Sequence, residues 1–116
     1  MELHGENVLL RIFINVFQKW HHQPVYEAIV GQARKKHLAG ATVLEGQEGF
    51  GQNGVILAKN PWALSSDREV IVEIVDTEAK IEAFLQEIEP MLKNAIVTLE
   101  RAAVMSYRHG DKKVRP

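Results

Sequence analysis

The chain has 116 residues, 46% of them hydrophobic, a formal net charge of −1 and no cysteine. That length and apolar content fit one domain with its own core. Disulfides, thiol catalysis and cysteine-ligated metal centres are excluded, and a reducing cytoplasm is the natural compartment.

Near-neutral charge supplies no global field for nucleic acid, and charged residues interrupt every apolar run well short of a membrane span. The amino end, MELHGENVLLRIFINVFQKW, lacks the basic segment and cleavage site of a signal peptide. Residues 8–16, VLLRIFINV, are rich in β-branched and aromatic types and read as a first strand. Leu10, Ile12, Ile14 and Val16 share one face, while Leu9 and Phe13 keep the other partly apolar. Pro24 suits a first helical turn, and Tyr26, Ile29, Val30 and Ala33 follow at helical spacing, so the pattern predicts a helix to about Leu38 that stops at Gly40.

Thr42 to about Glu45 form a second strand that runs into a glycine-rich stretch. REVIVEIVD at 68–76 forms a third, with Val70, Val72 and Ile74 on one face and Ile71, Glu73 and Val75 on the other. The connection between them is roughly twenty residues, where a hairpin loop ordinarily takes about 2–5, so it is expected to be functional, mobile or both. Asp76 and Thr77 are good N-cap types, and Ile81, Phe84, Leu85, Ile88, Met91 and Leu92 make an amphipathic stripe. Pro90 predicts a kink or a tightened terminal turn, and 95–107 supply a fourth strand. The order β-α-β-β-α-β predicts an α+β fold, a ferredoxin-like sandwich with a four-stranded antiparallel sheet and both helices on one face. The apolar residues of the other face then call for a homo-oligomer, or for cover by the long loop.

Gly46, Gly49, Gly51 and Gly54 admit two readings: backbone N–H groups approaching a phosphate or base, or the dihedrals of a strand bend. Neither a P-loop nor a Rossmann fingerprint is present. Of the histidines His4, His21, His22, His37 and His109, the adjacent His21-His22 pair could coordinate a metal, but it lacks the i, i+4 spacing that aligns two imidazoles; surface-loop histidines beside Trp20 are the simpler reading. Arg108 offers a guanidinium fork suited to phosphate, whereas Lys112, Lys113 and Arg115 read as a frayed tail. Lys93 could add a point charge to the same site or favour the carboxyl end of its helix. Ser65-Ser66-Asp67 lacks a nucleophile elbow and a recognisable base, and Glu73 reads as exposed or arginine-paired.

With the order of elements, three separated segments, AGATVLEGQEGFG, WHHQPVYEAIV and LSSDREVIVEIVDTEAKIEAFL, carry a resemblance. From about Val8 to Tyr107 the chain resembles the PII-like family catalogued as domain of unknown function 190. Its members resemble the PII nitrogen-regulatory signalling proteins. The resemblance implies trimers that hold small effectors, often adenine nucleotides, in clefts between subunits, with a long loop engaging a partner protein, a membrane transporter being one candidate.

Carried onto this sequence, the effector-binding residues are Gly49, Phe50, Gly51, Gln52, Lys93, Arg108 and Gly110, with His109 replacing the threonine of the PII arginine-threonine-glycine turn. No catalytic or metal-binding residue is assigned. Pro90-Met91-Leu92-Lys93-Asn94 stands where PII proteins carry a Gly-Asp-Gly-Lys phosphate loop, and the long loop has no tyrosine for modification. The expected organisation is a single domain, 1–116, with a long loop at about 46–67 and a flexible tail at about 109–116. The expected function is cytoplasmic effector binding and signalling through the loop, where Trp62 either anchors a partner or folds back on its own subunit. The alternatives are a metal-binding trimer or small enzyme on the same fold, and a structural oligomer with no ligand.

Overall fold

A computed structural model of the chain describes residues 6–45 and 68–105, together with four short strands at 48–50, 56–58, 107–109 and 112–114 as backbone only. The first strand, β1 (Asn7–Asn15), has strictly alternating burial in its second half. Val8, Leu10, Ile12 and Ile14 are buried, which is the period-2 signature expected of a strand with one covered face.

Two residue pairs, β2 (Lys19–Trp20) and β3 (Gln23–Pro24), then form a minimal hairpin. His21 and His22 make its turn with φ of 48° and 71°, the left-handed backbone that two-residue hairpins require. The Trp20 ring meets the His21 ring edge-on, with centroids 4.5 Å apart.

Helix α1 (Val25–Lys35) buries Val25, Ala28, Ile29 and Ala33. It ends earlier than the expected Leu38, and Gly40 is not what stops it. His37 adopts φ 56°; its N–H donates to the Arg34 carbonyl at 3.1 Å, and the Leu38 N–H donates to the Ala33 carbonyl at 3.1 Å. This paired bonding is a Schellman motif with histidine at the position glycine usually takes, whereas Gly40 has no left-handed φ.

Three strands follow: β4 (Thr42–Glu45), β5 (Glu48–Phe50) and β6 (Ile56–Ala58), of which β5 and β6 pair antiparallel inside the segment expected to be a long loop. The next strand, β7 (Glu69–Thr77), alternates like β1 and pairs with it along its whole length, from Asn7 opposite Thr77 to Asn15 opposite Glu69. Helix α2 (Glu78–Ile88) starts at Thr77, whose hydroxyl accepts from the Lys80 N–H at 3.4 Å, and buries Ile81, Phe84 and Ile88. Pro90 does not kink it. The chain tightens into a 3-10 turn, Glu89–Met91, which accommodates a residue with no N–H to donate.

The fourth strand of the sheet, β8 (Ile96–Ala102), is shorter than the expected 95–107. The chain instead makes a separate hairpin of β9 (Tyr107–His109) and β10 (Lys112–Val114), so backbone pairing extends into the segment expected to fray.

The sheet order is β4-β7-β1-β8, antiparallel throughout. That is the ferredoxin-like α+β sandwich predicted. The core lies between the two central strands and the helices, with Leu10, Ile12, Val72, Ile29, Ile81 and Ile88 fully buried. Gln32 Nε2 on α1 and Lys36 Nζ at its C-cap reach the two oxygens of Glu87 on α2 at 3.1 and 3.0 Å, tying the helices across their outer surface.

His37→Gly removes a left-handed strain of about 1–2 kcal/mol at the cost of glycine's extra chain entropy. It is expected to raise unfolding stability by about 0.5–1 kcal/mol, read from the midpoint of a urea denaturation curve at unchanged slope.

Candidate functional site

The sheet has two ends, and the candidate residues divide between them. At one end, β1 terminates and β4 and β7 open onto the 46–67 segment. The Val16 N–H donates to the Arg68 carbonyl at 2.9 Å, and the Arg68 guanidinium pairs with Glu45, the last residue of β4. These two residues flank 46–67, so their ion pair draws its two ends together into a neck.

Lys93 lies at this same end, since β8 begins three residues later with Ile96 opposite Phe13. Its turn is closed by Ala95 N–H donating to the Leu92 carbonyl at 3.0 Å, and Asn94 adopts φ 65°, a conformation asparagine tolerates well. Gln18 Nε2 donates to the Lys93 carbonyl at 2.6 Å. The backbone of Lys93 is therefore held while its side chain stays exposed.

The other end holds Asn7, Thr77 and Ala102 in one row, and Arg101 pairs there with Glu6. That bond, from the guanidinium first and its charge second, holds the Glu6 carboxyl below the usual carboxylate range. β8 runs from the first end to the second, a span of about 24 Å for seven extended residues. Arg108 follows six positions beyond Ala102 and lies in β9. Gly49 and Phe50 lie in β5. Gly51, Gln52 and Gly110 lie outside the described residues, as do Trp62 and Ser65-Ser66-Asp67. Within one chain the fold thus brings Lys93 to the neck of the 46–67 segment and carries the strand leading to Arg108 away from both.

The sheet face opposite the helices is partly apolar, as expected from its strands, and the register adds which residues line up across it. Leu44, Ile71, Phe13 and Ile96 form one row across all four strands; the two at the edges are exposed at 43% and 42%. The next row is Thr42, Glu73, Arg11 and Thr98. Arg11 Nε donates to Glu73 Oε2 at 2.8 Å, and Arg11 Nη1 also pairs with Glu100 on β8. Glu73 is therefore arginine-paired, as expected, but its partner Arg11 went unread. The signal was available: Arg11 is the lone charge in an otherwise apolar strand, and the register sets it directly opposite Glu73.

A second missed residue is Asp76, fully buried. It does not cap α2; Thr77 does. Asp76 Oδ2 accepts from the Ala39 N–H at 2.9 Å and Oδ1 from the Thr77 N–H at 2.7 Å, which pins the 38–41 strap to the sheet. A groove of about 450 Å³ lies beside this strap, lined by Val30, Ala33, Arg34, His37, Leu38 and Ala39 among others. None of the predicted effector residues lines it. Among the described residues there is no group of three or more His, Asp or Glu side chains that could hold a metal ion, and no helix is long and apolar enough to cross a membrane.

The sheet order and the two helices define a ferredoxin-like α+β protein. The model of the family described as DUF190, "Uncharacterized ACR, COG1993", matches residues 7–104, and the chain belongs to that family. Among curated relatives, a UPF0166 protein of Aquifex aeolicus (strain VF5) is 36% identical over 97 residues, covering 84% of this chain and 91% of that one. A UPF0166 protein of Methanocaldococcus jannaschii is 30% identical over 86 residues, covering 74% and 79%.

Among solved structures, CPII of Thiomonas intermedia K12, a nitrogen-regulatory PII-like protein bound to ADP, AMP and bicarbonate, superimposes with a TM-score of 0.63 at 15% identity, over 86% of this chain and 89% of that one. A PII-like signalling protein of Thermus thermophilus gives a TM-score of 0.58 at 14% identity, over 90% and 93%. At these identities the likeness is one of fold.

Asp76→Ala leaves the Ala39 and Thr77 N–H groups without their acceptor, at an expected cost of about 2–4 kcal/mol in equilibrium unfolding, with faster amide exchange at Ala39. Burial on the open face pushes the Glu69 carboxyl up. The native state then binds more protons than the unfolded one between the ordinary and the raised value, so this group costs stability as pH rises through that window. Glu69→Gln is expected to be more stable than the wild type near neutral pH, with the difference closing on acidification below the ordinary carboxylate range, as followed by melting curves against pH.

Proposed function

We propose that this chain is a cytoplasmic PII-like regulatory protein that binds a small anionic effector of the adenine-nucleotide class in clefts between copies. It signals through the 46–67 segment to a partner protein, a membrane transporter being one candidate, and has no catalytic turnover of its own. The observation that carries this reading is the separation of Lys93 and the neck, at one end of β8, from the strand that leads to Arg108 at the other. A site using all the candidate residues then draws on two copies: one supplies Lys93 and the Gly49, Phe50, Gly51 and Gln52 stretch, and its neighbour supplies Arg108 and Gly110.

The chemistry suits an anion. Glycine backbone N–H groups approach phosphate or base without a Cβ in the way, Lys93 adds a point charge and Arg108 a planar fork. The open apolar sheet face supports assembly, and a homotrimer is the form the PII resemblance implies. The PII-like neighbour solved with ADP, AMP and bicarbonate supports the effector class. Ligand contact beside the Arg68–Glu45 neck biases 46–67 toward one arrangement, to the extent that the effector binds that arrangement more tightly.

The test is thermal unfolding with ATP, ADP and AMP, each with and without bicarbonate. A ligand at a hundredfold its Kd stabilises the native state by about 2.7 kcal/mol, so at least one nucleotide is expected to raise the melting point by several degrees. Lys93→Ala and Arg108→Ala should each lose most of that shift. Mixing the two variants should restore part of it, because some clefts then pair an intact Lys93 with an intact Arg108. No shift with any nucleotide would overturn the effector class, and equal failure of the mixture would overturn the shared cleft.

A further inference from the structure

We propose that the groove between α1 and the 38–41 strap is a binding site for a small carboxylate with an aliphatic tail, separate from the effector cleft. Its volume of about 450 Å³ falls in the range of small-molecule sites, about 300–1,000 Å³. Val30 and Ala33 of α1 and Leu38 and Ala39 of the strap give it an apolar lining. Gly40 lines it too, and a Cβ added there would meet no atom within 4 Å. The strap is already held by the bond from the Ala39 N–H to the buried Asp76, so this wall stands before any ligand arrives and little ordering is left for binding to supply.

The charge of the lining selects the occupant. Among the described residues its polar side chains are Arg34 and His37, and no carboxylate stands beside them. Lys36 nearby is engaged by Glu87, whereas Arg34 has no carboxylate partner among the described residues. A guanidinium fork fits a carboxylate with two parallel hydrogen bonds, and an imidazole supplies an N–H donor in either protonation state. One guanidinium also balances the single charge of a carboxylate, where a phosphate monoester brings about −1.5 to −2. Basic residues at a helix end favour its dipole in any case, but that role asks for no apolar groove beside them.

His37 carries an independent argument. It holds a left-handed φ of 56°, which glycine adopts at lower cost. The chain therefore gives up stability to keep a side chain at this corner of the groove, as residues that serve a site do.

Amide NMR titrations of the full chain test this with octanoate, and with 1-octanol and octyl phosphate as head-group controls. Octanoate is expected to shift the amides of residues 37–41 saturably, with a Kd below about 1 mM for a ligand of about ten heavy atoms. Loss of the charge-assisted bonds, in 1-octanol or in Arg34→Gln, is expected to weaken binding by about tenfold or more. Gly40→Leu, which places a side chain in the open space, is expected to abolish it. His37→Gly is expected to weaken octanoate several-fold while raising the urea midpoint, a split that a merely structural role does not give. Should Gly40→Leu fail to fold by circular dichroism, the exposed Arg34→Gln decides.

The absence of a saturable shift at 37–41, equal binding of 1-octanol, or unchanged binding in Arg34→Gln overturns the site. Tighter binding of octyl phosphate than of octanoate overturns the carboxylate assignment, and displacement of octanoate from these residues by ADP overturns the separation from the effector cleft.

Discussion

The antiparallel ladder between β1 and β7 is the constraint on which the rest of the molecule depends. Its nine register pairs, from Asn7–Thr77 to Asn15–Glu69, fix which residues of both strands face the helices, because a slip of one position would exchange the two faces. Leu10, Ile12 and Ile14 then lie beside Val70, Val72 and Ile74 under Ile29, Ile81 and Ile88, all nearly or fully buried. The edge strands β4 and β8 attach to this pair, and both helices cross over it. The same ladder places Arg11 opposite Glu73, so the register that builds the core also builds the charged row on the other face.

This arrangement gives the molecule two distinct poles and one sheet face that the helices leave open. At one pole the Arg68–Glu45 pair and the Gln18–Lys93 bond gather the neck of the 46–67 segment and an exposed ammonium. At the other, Asp76 pins the strap at Ala39 and β8 leaves the sheet toward Arg108. On the open face an apolar row and a charged row lie in parallel. An isolated two-layer sandwich exposes such a face, including its edge residues Leu44 and Ile96, while Val43, Val97 and Leu99 are exposed at the edges of the helix-side face.

Much of the fold was legible because it rests on local pattern. The alternation in VLLRIFINV and REVIVEIVD and the 3.6-residue stripe of α2 each report which side of an element is buried. Local chemistry was read less well where two signals competed. Gly40 drew the end of α1 too far, since glycine is the commonest left-handed cap and His37 hid that role behind a side chain usually read for its imidazole. Pro90 signalled a disturbance, and only the geometry settled it as a 3-10 turn.

The sequence by itself determined the order of the four sheet strands and two helices, the ferredoxin-like topology and the identity of most core-facing residues, since hydrophobic period and turn chemistry are properties of neighbours in the chain. Only the tertiary structure decided which distant residues meet. Register across strands set Arg11 against Glu73, the return of the chain at the neck set Arg68 against Glu45, and the direction of β8 separated Lys93 from the strand leading to Arg108. These are long-range relations, and their physical reason is that pairing partners are chosen by the burial of whole faces rather than by any residue's own neighbours.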